Sequence, residues 1–217
     1  MSGLAKVLLW LGLIVGVVGL VVQFVISMQA YLAAGRDIPG ALGAFFIYYT
    51  ILANIVLVLV YVSELTDWRW LEVFRKLDVT GMMVANVLLV MTFVHFFLRG
   101  LSQLNGLFVA CDITLHYVTP VIYIVWWLVG VRHGPLVIRR VPIMLVPTFL
   151  YFLIAMARGA WTHEYPYPIL NVVKLGYPHV LLNAVAMTLA LGCLMLVVIG
   201  VDEVLGRLVM RRKAARA

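Results

Sequence analysis

Two apolar stretches of this sequence each carry a polar pair at helical spacing. One reads Tyr48-Tyr49-Thr50-Ile51-Leu52-Ala53-Asn54, the other Asp112-Ile113-Thr114-Leu115-His116. Residues four apart share a helix face, so Thr50 goes with Asn54 and Asp112 with His116. An ionisable side chain inside a bilayer is costly and marks a functional site by default. A hydroxyl nucleophile and an imidazole base in apolar surroundings suit ester hydrolysis. Asp112 has three candidate partners: His116 on its own face, and Arg99 or Arg158 elsewhere. Asn54, His95 or Tyr48 would donate to an oxyanion. Plain structural roles stand beside these. Thr50 would bond its own i−4 carbonyl, and Asn54 and Asn183 would glue helices together. His95 and His179 fall near the membrane interface, and Tyr165 and Tyr167 suit an aromatic belt. His133 and His163 read as exposed loop residues.

The elements that position these residues follow from composition. The chain has 217 residues, 65% hydrophobic and 12% charged, with mean hydropathy +1.10. A soluble domain carries roughly 25% charged residues, so most of this surface must meet lipid or protein. Six apolar segments, at about 4–32, 41–62, 79–98, 107–131, 141–157 and 177–201, lie near the ~20 residues a helix needs to cross a bilayer. They predict an all-α bundle of six transmembrane helices forming one domain, 1–217. The fifth is shortest and contains Pro142 and Pro147. Val7 to Gly35 holds no charge and is longer than the ~7–15 residues of a signal-peptide core, so the first segment reads as a retained span. Gly12-x-x-x-Gly16 lets that helix approach a neighbour closely. Cys111 and Cys193 stand in no ligand motif and read as packing residues, with no metal site expected.

The net charge of +7 sets orientation, not nucleic-acid binding. With the N-terminus inside, Lys6, Arg69, Arg75, Lys76, Arg132, Arg139, Arg140, Arg207, Arg211, Arg212, Lys213 and Arg216 are cytoplasmic. Arg36, Arg99, Arg158 and Lys174 are outside. Twelve of the sixteen basic residues inside is a clear positive-inside bias, with both termini cytoplasmic. Thr66–Leu77, with Trp68, Trp70, Leu71 and Phe74 among charges, predicts an amphipathic interfacial helix. The basic tail reads as attracted to lipid headgroups. Thr50 and His116 each lie nine residues into an inward-running span, about 14 Å deep. Asp112, His95, His179, Arg158 and the loop from Trp161 to Pro168 crowd the same outer half. That asymmetry predicts a pocket open toward the outer leaflet.

These segments resemble a known family. Phe46-Ile47-Tyr48-Tyr49-Thr50-Ile51-Leu52-Ala53-Asn54 is similar to the F-T-x-x-x-N signature of the androgen-induced-gene family. Leu115-His116-Tyr117-Val118-Thr119-Pro120, followed by Trp126-Trp127, is similar to its L-H-x-x-x-P signature. Glu164-Tyr165-Pro166-Tyr167-Pro168-Ile169-Leu170 resembles the Y-P-Y-P-F-L loop of its prokaryotic members. Order, spacing and six spans agree over nearly the whole chain. The resemblance implies a membrane hydrolase that splits lipid esters, fatty acid esters of hydroxy fatty acids among them. It implies Thr50 as nucleophile and His116 as base. Asn54, Asp112, His95, Tyr48, Arg158, Tyr165 and His179 are supporting candidates from their polar character and their place in the same half of the bundle. Asn54 follows the Thr by four residues where animal members have three. Tyr49 and Ile169 stand where Phe is common. These departures leave the substrate open. A prokaryotic source would place the chain in the cell (inner) membrane.

Two other classes fit the composition. His95, His116 and His179 sit on three spans in one half, and a facing pair would hold a haem. A small-molecule transporter is the other, although the halves show no inverted repeat. No G-x-S-x-G, H-E-x-x-H or G-x-x-x-x-G-K-[ST] occurs, so serine α/β-hydrolase, zinc-protease and P-loop readings lack their signatures. The hydrolase reading needs no cofactor. Its partners are a lipid or fatty acyl ester and the surrounding lipids, with the oligomeric state left open.

Overall fold

The computed structural model describes residues 2–100 and 103–214. Among them every regular element is helical: α1 Gly3–Ala33, α2 Ile38–Phe46, α3 Tyr49–Leu65, α4 Leu77–Phe93, α5 Leu107–Ile113, α6 Thr119–Gly130, α7 Val141–Thr162 and α8 Val172–Ala214. π-helical turns extend α4 over Val94–Leu98 and join α5 to α6 over Thr114–Val118. Five helical runs are long and apolar enough to cross a membrane, and α2 with α3 makes a sixth if that bent pair is one span. The end of the basic tail, including Arg216, lies outside the described residues.

The second span differs from the continuous helix expected over 41–62. It bends by 75° between α2 and α3. No Pro or Gly stands at the bend. Tyr48 is extended there, at φ −74° and ψ 124°, and starts a new helix. A broken backbone at membrane depth persists only where protein or a cavity satisfies its polar groups. Here Tyr151 Oη donates to the freed Ile47 carbonyl at 3.0 Å. The break also removes the basis for measuring the depth of Thr50 along one straight helix.

Other boundaries shift with identifiable causes. α7 continues past 157 to Thr162 and stops where His163 turns left-handed at φ 57°. α8 kinks at Gly176, whose φ of 73° suits glycine, and then runs past 201 to Ala214. The interfacial segment is a short 3-10 helix, Arg69–Arg75, not an amphipathic α-helix. It buries Leu71 while Trp68 and Trp70 stack in the open. Arg75 Nη1 donates to the Ser63 carbonyl at 2.9 Å, a cation closing the end of α3.

α1 packs on α3 and α6 through small residues. A Cβ on Gly12 would sit 2.3 Å from the Tyr61 ring, and one on Gly16 would sit 3.0 Å from Val58. Tyr61, Tyr123, Trp126 and Trp127 fill the core with Leu57 and Val60. His133 is not exposed as expected. Its ring is buried, with Nδ1 donating to Asp202 Oδ1 at 3.0 Å and Nε2 facing the Leu128 carbonyl at 3.1 Å. Asp202 also accepts from the Gly134 and Leu136 amides at 2.9 and 3.0 Å. This carboxylate fastens α8 to the turn after α6. The opposite half of the bundle is held differently and carries the cavities.

Candidate active site

Thr50 is the second residue of α3, so the bend itself sets its environment. The first N–H groups of a helix have no partner within it. The Tyr48 carbonyl takes the Ile51 and Leu52 amides at 3.1 and 3.2 Å, and no side chain caps the turn. Thr92, Thr114, Thr162 and Thr188 each bond their own i−4 carbonyl. For Thr50 that carbonyl belongs to Phe46, across the bend. Its Oγ1 instead lies 3.0 Å from His116 Nε2.

His116 sits on the π turn Thr114–Val118, where the Thr119 amide reaches back to the Thr114 carbonyl. In that pattern Leu115 would await an N–H from Pro120, which has none. Asn54 supplies it: Nδ2 donates to the Leu115 carbonyl at 3.0 Å and to the Thr50 carbonyl at 2.9 Å. The Thr119 hydroxyl donates to Asn54 Oδ1. Both Asn54 N–H groups are therefore occupied, and Asn54 is not an oxyanion donor. It ties the start of α3 to the π turn.

The imidazole has a defined tautomer. Nδ1 faces only acceptors, Asp112 Oδ1 at 2.8 Å and the Asp112 carbonyl at 3.1 Å. It therefore carries the proton, which leaves Nε2 to accept from Thr50. Of the three partners open to Asp112, the structure gives it His116. Thr50 is 6% exposed, while the His116 and Asp112 side chains are 18% and 33% exposed. The row thus runs from the protein interior to open space.

That space is a cavity of about 820 Å³ lined by Thr50, Asp112, His116, Tyr31, Tyr48 and Arg99, among others. A second cavity of about 600 Å³ lies between α4, α7 and α8, with Leu89, Phe93, Phe152 and Leu181 in its wall. Thr50, Val94 and Tyr167 line both. Tyr167 comes from the α7–α8 loop, its ring edge-on to Tyr48 at 6.0 Å and to Phe93 at 6.1 Å. Burial pushes its hydroxyl up to about 12, opposed by the Thr50 hydroxyl and the backbone N–H groups of Thr50 and Tyr49. The phenol stays protonated and faces the start of α3.

The remaining expected residues stand apart. His95 is exposed on the other π turn, with Arg99 Nη1 3.5 Å from its Nδ1, and lines neither cavity. His179 is exposed and faces the Leu175 carbonyl at 3.0 Å. Each of the three histidines proposed for haem has its Nδ1 engaged within its own helix. Among the described residues no three His, Cys, Asp or Glu side chains gather as a metal site requires. Tyr165 packs on Gly159, where a Cβ would come within 2.1 Å of its ring. Arg158 bonds Glu164 at 3.1 Å, and Arg36 meets the same carboxylate at 2.7 Å, clasping the α7–α8 loop to the α1–α2 turn. Asn183 donates to the Ile169 carbonyl at 2.9 Å and holds that loop from α8.

Sequence reasoning missed three participants. Tyr167 was visible only as one tyrosine of the Y-P-Y-P stretch. Thr119 has no signal apart from its place before Pro120. Asn86, a lone amide in the third span, bonds Tyr49 Oη, which also lies 2.8 Å from Thr148 Oγ1. This buried polar cluster borders the second cavity. The chain matches no family model, no curated protein and no solved structure.

Proposed function

We propose that this protein is an integral membrane hydrolase of lipid esters, with Thr50 as nucleophile and His116 as general base. The observation that carries this reading is the 3.0 Å contact between Thr50 Oγ1 and an imidazole nitrogen left free to accept by the Asp112 contacts on the other side. Nucleophile, base and orienting group in that order are the working parts of covalent acyl transfer.

In the first step Thr50 Oγ attacks the ester carbonyl and its proton passes to His116 Nε2. The developing oxyanion is met by the Tyr167 hydroxyl and by the Tyr49 and Thr50 amides that turn from Tyr167 to it. His116 then protonates the departing alkoxide, leaving an acyl-threonine. Water enters through the wide cavity, gives a proton to His116 and attacks the acyl carbon. The acid leaves as Thr50 regains its proton.

The resemblance to the androgen-induced-gene family makes fatty acid esters of hydroxy fatty acids the first substrates to try. The positive-inside bias orients both termini to the cytoplasm and the wide cavity outward. The test uses the full chain purified in detergent. Wild type hydrolyses lipophilic esters, and a fluorophosphonate labels Thr50. Thr50→Ala and His116→Ala each reduce hydrolysis to background, with losses that do not add because the pair acts as a unit. Equal hydrolysis and equal labelling in wild type and Thr50→Ala overturn the assignment.

A further inference from the structure

Resting on that hydrolase reading, we infer that the two cavities sort the two halves of the ester. An unbranched acyl chain lies in the apolar chamber between α4, α7 and α8, and the alcohol portion lies in the wide chamber beside His116.

Proton transfer fixes the assignment. The departing oxygen must receive a proton from His116 Nε2, and His116 lines the wide chamber but not the apolar one. The alcohol half must therefore lie on the His116 side of Thr50. The acyl chain takes the other side. After the C–O bond to the alcohol breaks, that half departs with the proton from Nε2. The vacated place beside His116 is where water must stand to attack the acyl-threonine. The acyl chain need not move between the two steps.

The chamber linings agree. The wide chamber carries Gln23, Ser27, Tyr31, Arg99 and Asp112. The other wall is aliphatic and aromatic apart from Thr50, Tyr49, Tyr151, Tyr167, Thr148 and Thr188. Of these hydroxyls, Tyr49 and Thr148 are tied to Asn86, Tyr151 to the Ile47 carbonyl and Thr188 to its own helix. Its volume of about 600 Å³ is ample for a long hydrocarbon chain. Phe149, Leu181, Val185 and Leu189 on its rim are all exposed, on helices apolar enough to span a bilayer. A chain can slide in from the lipid without crossing water.

The experiment varies one half of the ester at a time. Nitrophenyl esters from acetate to palmitate vary the acyl chain, and alkyl acetates from butyl to hexadecyl vary the alcohol. Ala184→Phe narrows the apolar chamber, with Val185→Trp on the same wall as a second variant should the first not fold. Val109→Phe narrows the wide chamber. A misplaced methylene changes a hydrophobic pocket's selectivity by about 10- to 200-fold, so Ala184→Phe should cut kcat/KM for palmitate by at least about tenfold. Acetate and the alkyl acetates should stay within about twofold of wild type. Val109→Phe should give the opposite pattern. The inference is overturned if Ala184→Phe and Val185→Trp cut the alkyl acetates and spare the acyl series, or if they depress every ester alike. Loss of the hydrolase reading is a different result, in which Thr50→Ala hydrolyses all esters like wild type.

Discussion

Replacing Asp112 by Asn separates two roles that a carboxylate behind a catalytic imidazole can play. It can stabilise the imidazolium that forms in the transition state, and it can hold the proton on Nδ1. The first role is lost with the charge. A hydrogen bond to a charged group is worth about 1.5–3 kcal/mol, and the Asp112 side chain is 33% exposed, which screens part of it. A loss of about 1.5–2.5 kcal/mol corresponds to about 10- to 70-fold in rate. The second role is shared. Where a carboxylate alone sets the tautomer, its amide replacement costs about 10⁴ in kcat. Here the Asp112 backbone carbonyl lies 3.1 Å from Nδ1 and remains in every variant. Asp112→Asn should therefore lower kcat for a lipophilic ester by about 10- to 70-fold, with KM nearly unchanged. Asp112→Ala, measured alongside, should fall in the same range. A loss in Asp112→Asn as deep as that of His116→Ala, with Asp112→Ala much milder, would show that the new amide donates to Nδ1 and reverses the tautomer. A change under about threefold in both variants would remove Asp112 from the mechanism.

Three further outcomes are expected. Asn54→Ala leaves the Leu115 carbonyl without its bridging amide, at about 1–3 kcal/mol for a buried orphan, so thermal unfolding in detergent should drop and kcat should fall with it; unchanged kcat in a destabilised protein would confine Asn54 to stability. Tyr167→Phe removes one oxyanion donor and should lower kcat by about 10²-fold without loss of fold, whereas a change under twofold would leave the backbone amides as the only donors. Glu164 is held below the ordinary carboxyl range chiefly by its bonds to Arg36, so its stabilising effect is complete above about pH 4.3 and is lost as pH falls through the lowered value. Melting temperature should therefore fall more steeply with acidification in wild type than in Glu164→Gln; parallel curves would show the clasp to be energetically idle.

The helical, apolar character of the chain is legible in composition, and five of the six expected segments coincide with long helices. The second does not, because nothing at Ile47–Tyr48 announces a break. It is a tertiary event, requiring Tyr151 from α7 to take the Ile47 carbonyl. His133 was illegible for the same reason: its loop position says nothing of Asp202, 69 residues away. The pairing of Thr50 with His116 was accessible because both are polar residues in apolar runs, and the i,i+4 spacing pointed Asp112 at His116. For Asn54 the interhelical-glue reading is the one that fits: its carboxamide bridges the Thr50 and Leu115 carbonyls.

That carboxamide compensates for the proline four places after His116. Pro120 cannot give its N–H to the π turn, so the Leu115 carbonyl is left open beside His116. A side-chain amide from another helix satisfies it. Asn54 does so with one N–H and spends the other on the Thr50 carbonyl. One side chain thus spans the backbone of Thr50 and the backbone next to His116. A slip of α3 by a single residue would break the bond to the Leu115 carbonyl and carry Thr50 away from Nε2. The bend before Tyr49 complements this, since it frees Thr50 from an i−4 carbonyl and leaves amides at the helix start facing Tyr167. The missing N–H of Pro120 and the bend at Tyr48 are local losses of helix hydrogen bonding. Together they bring a hydroxyl, an imidazole and a set of N–H donors to one point between two cavities.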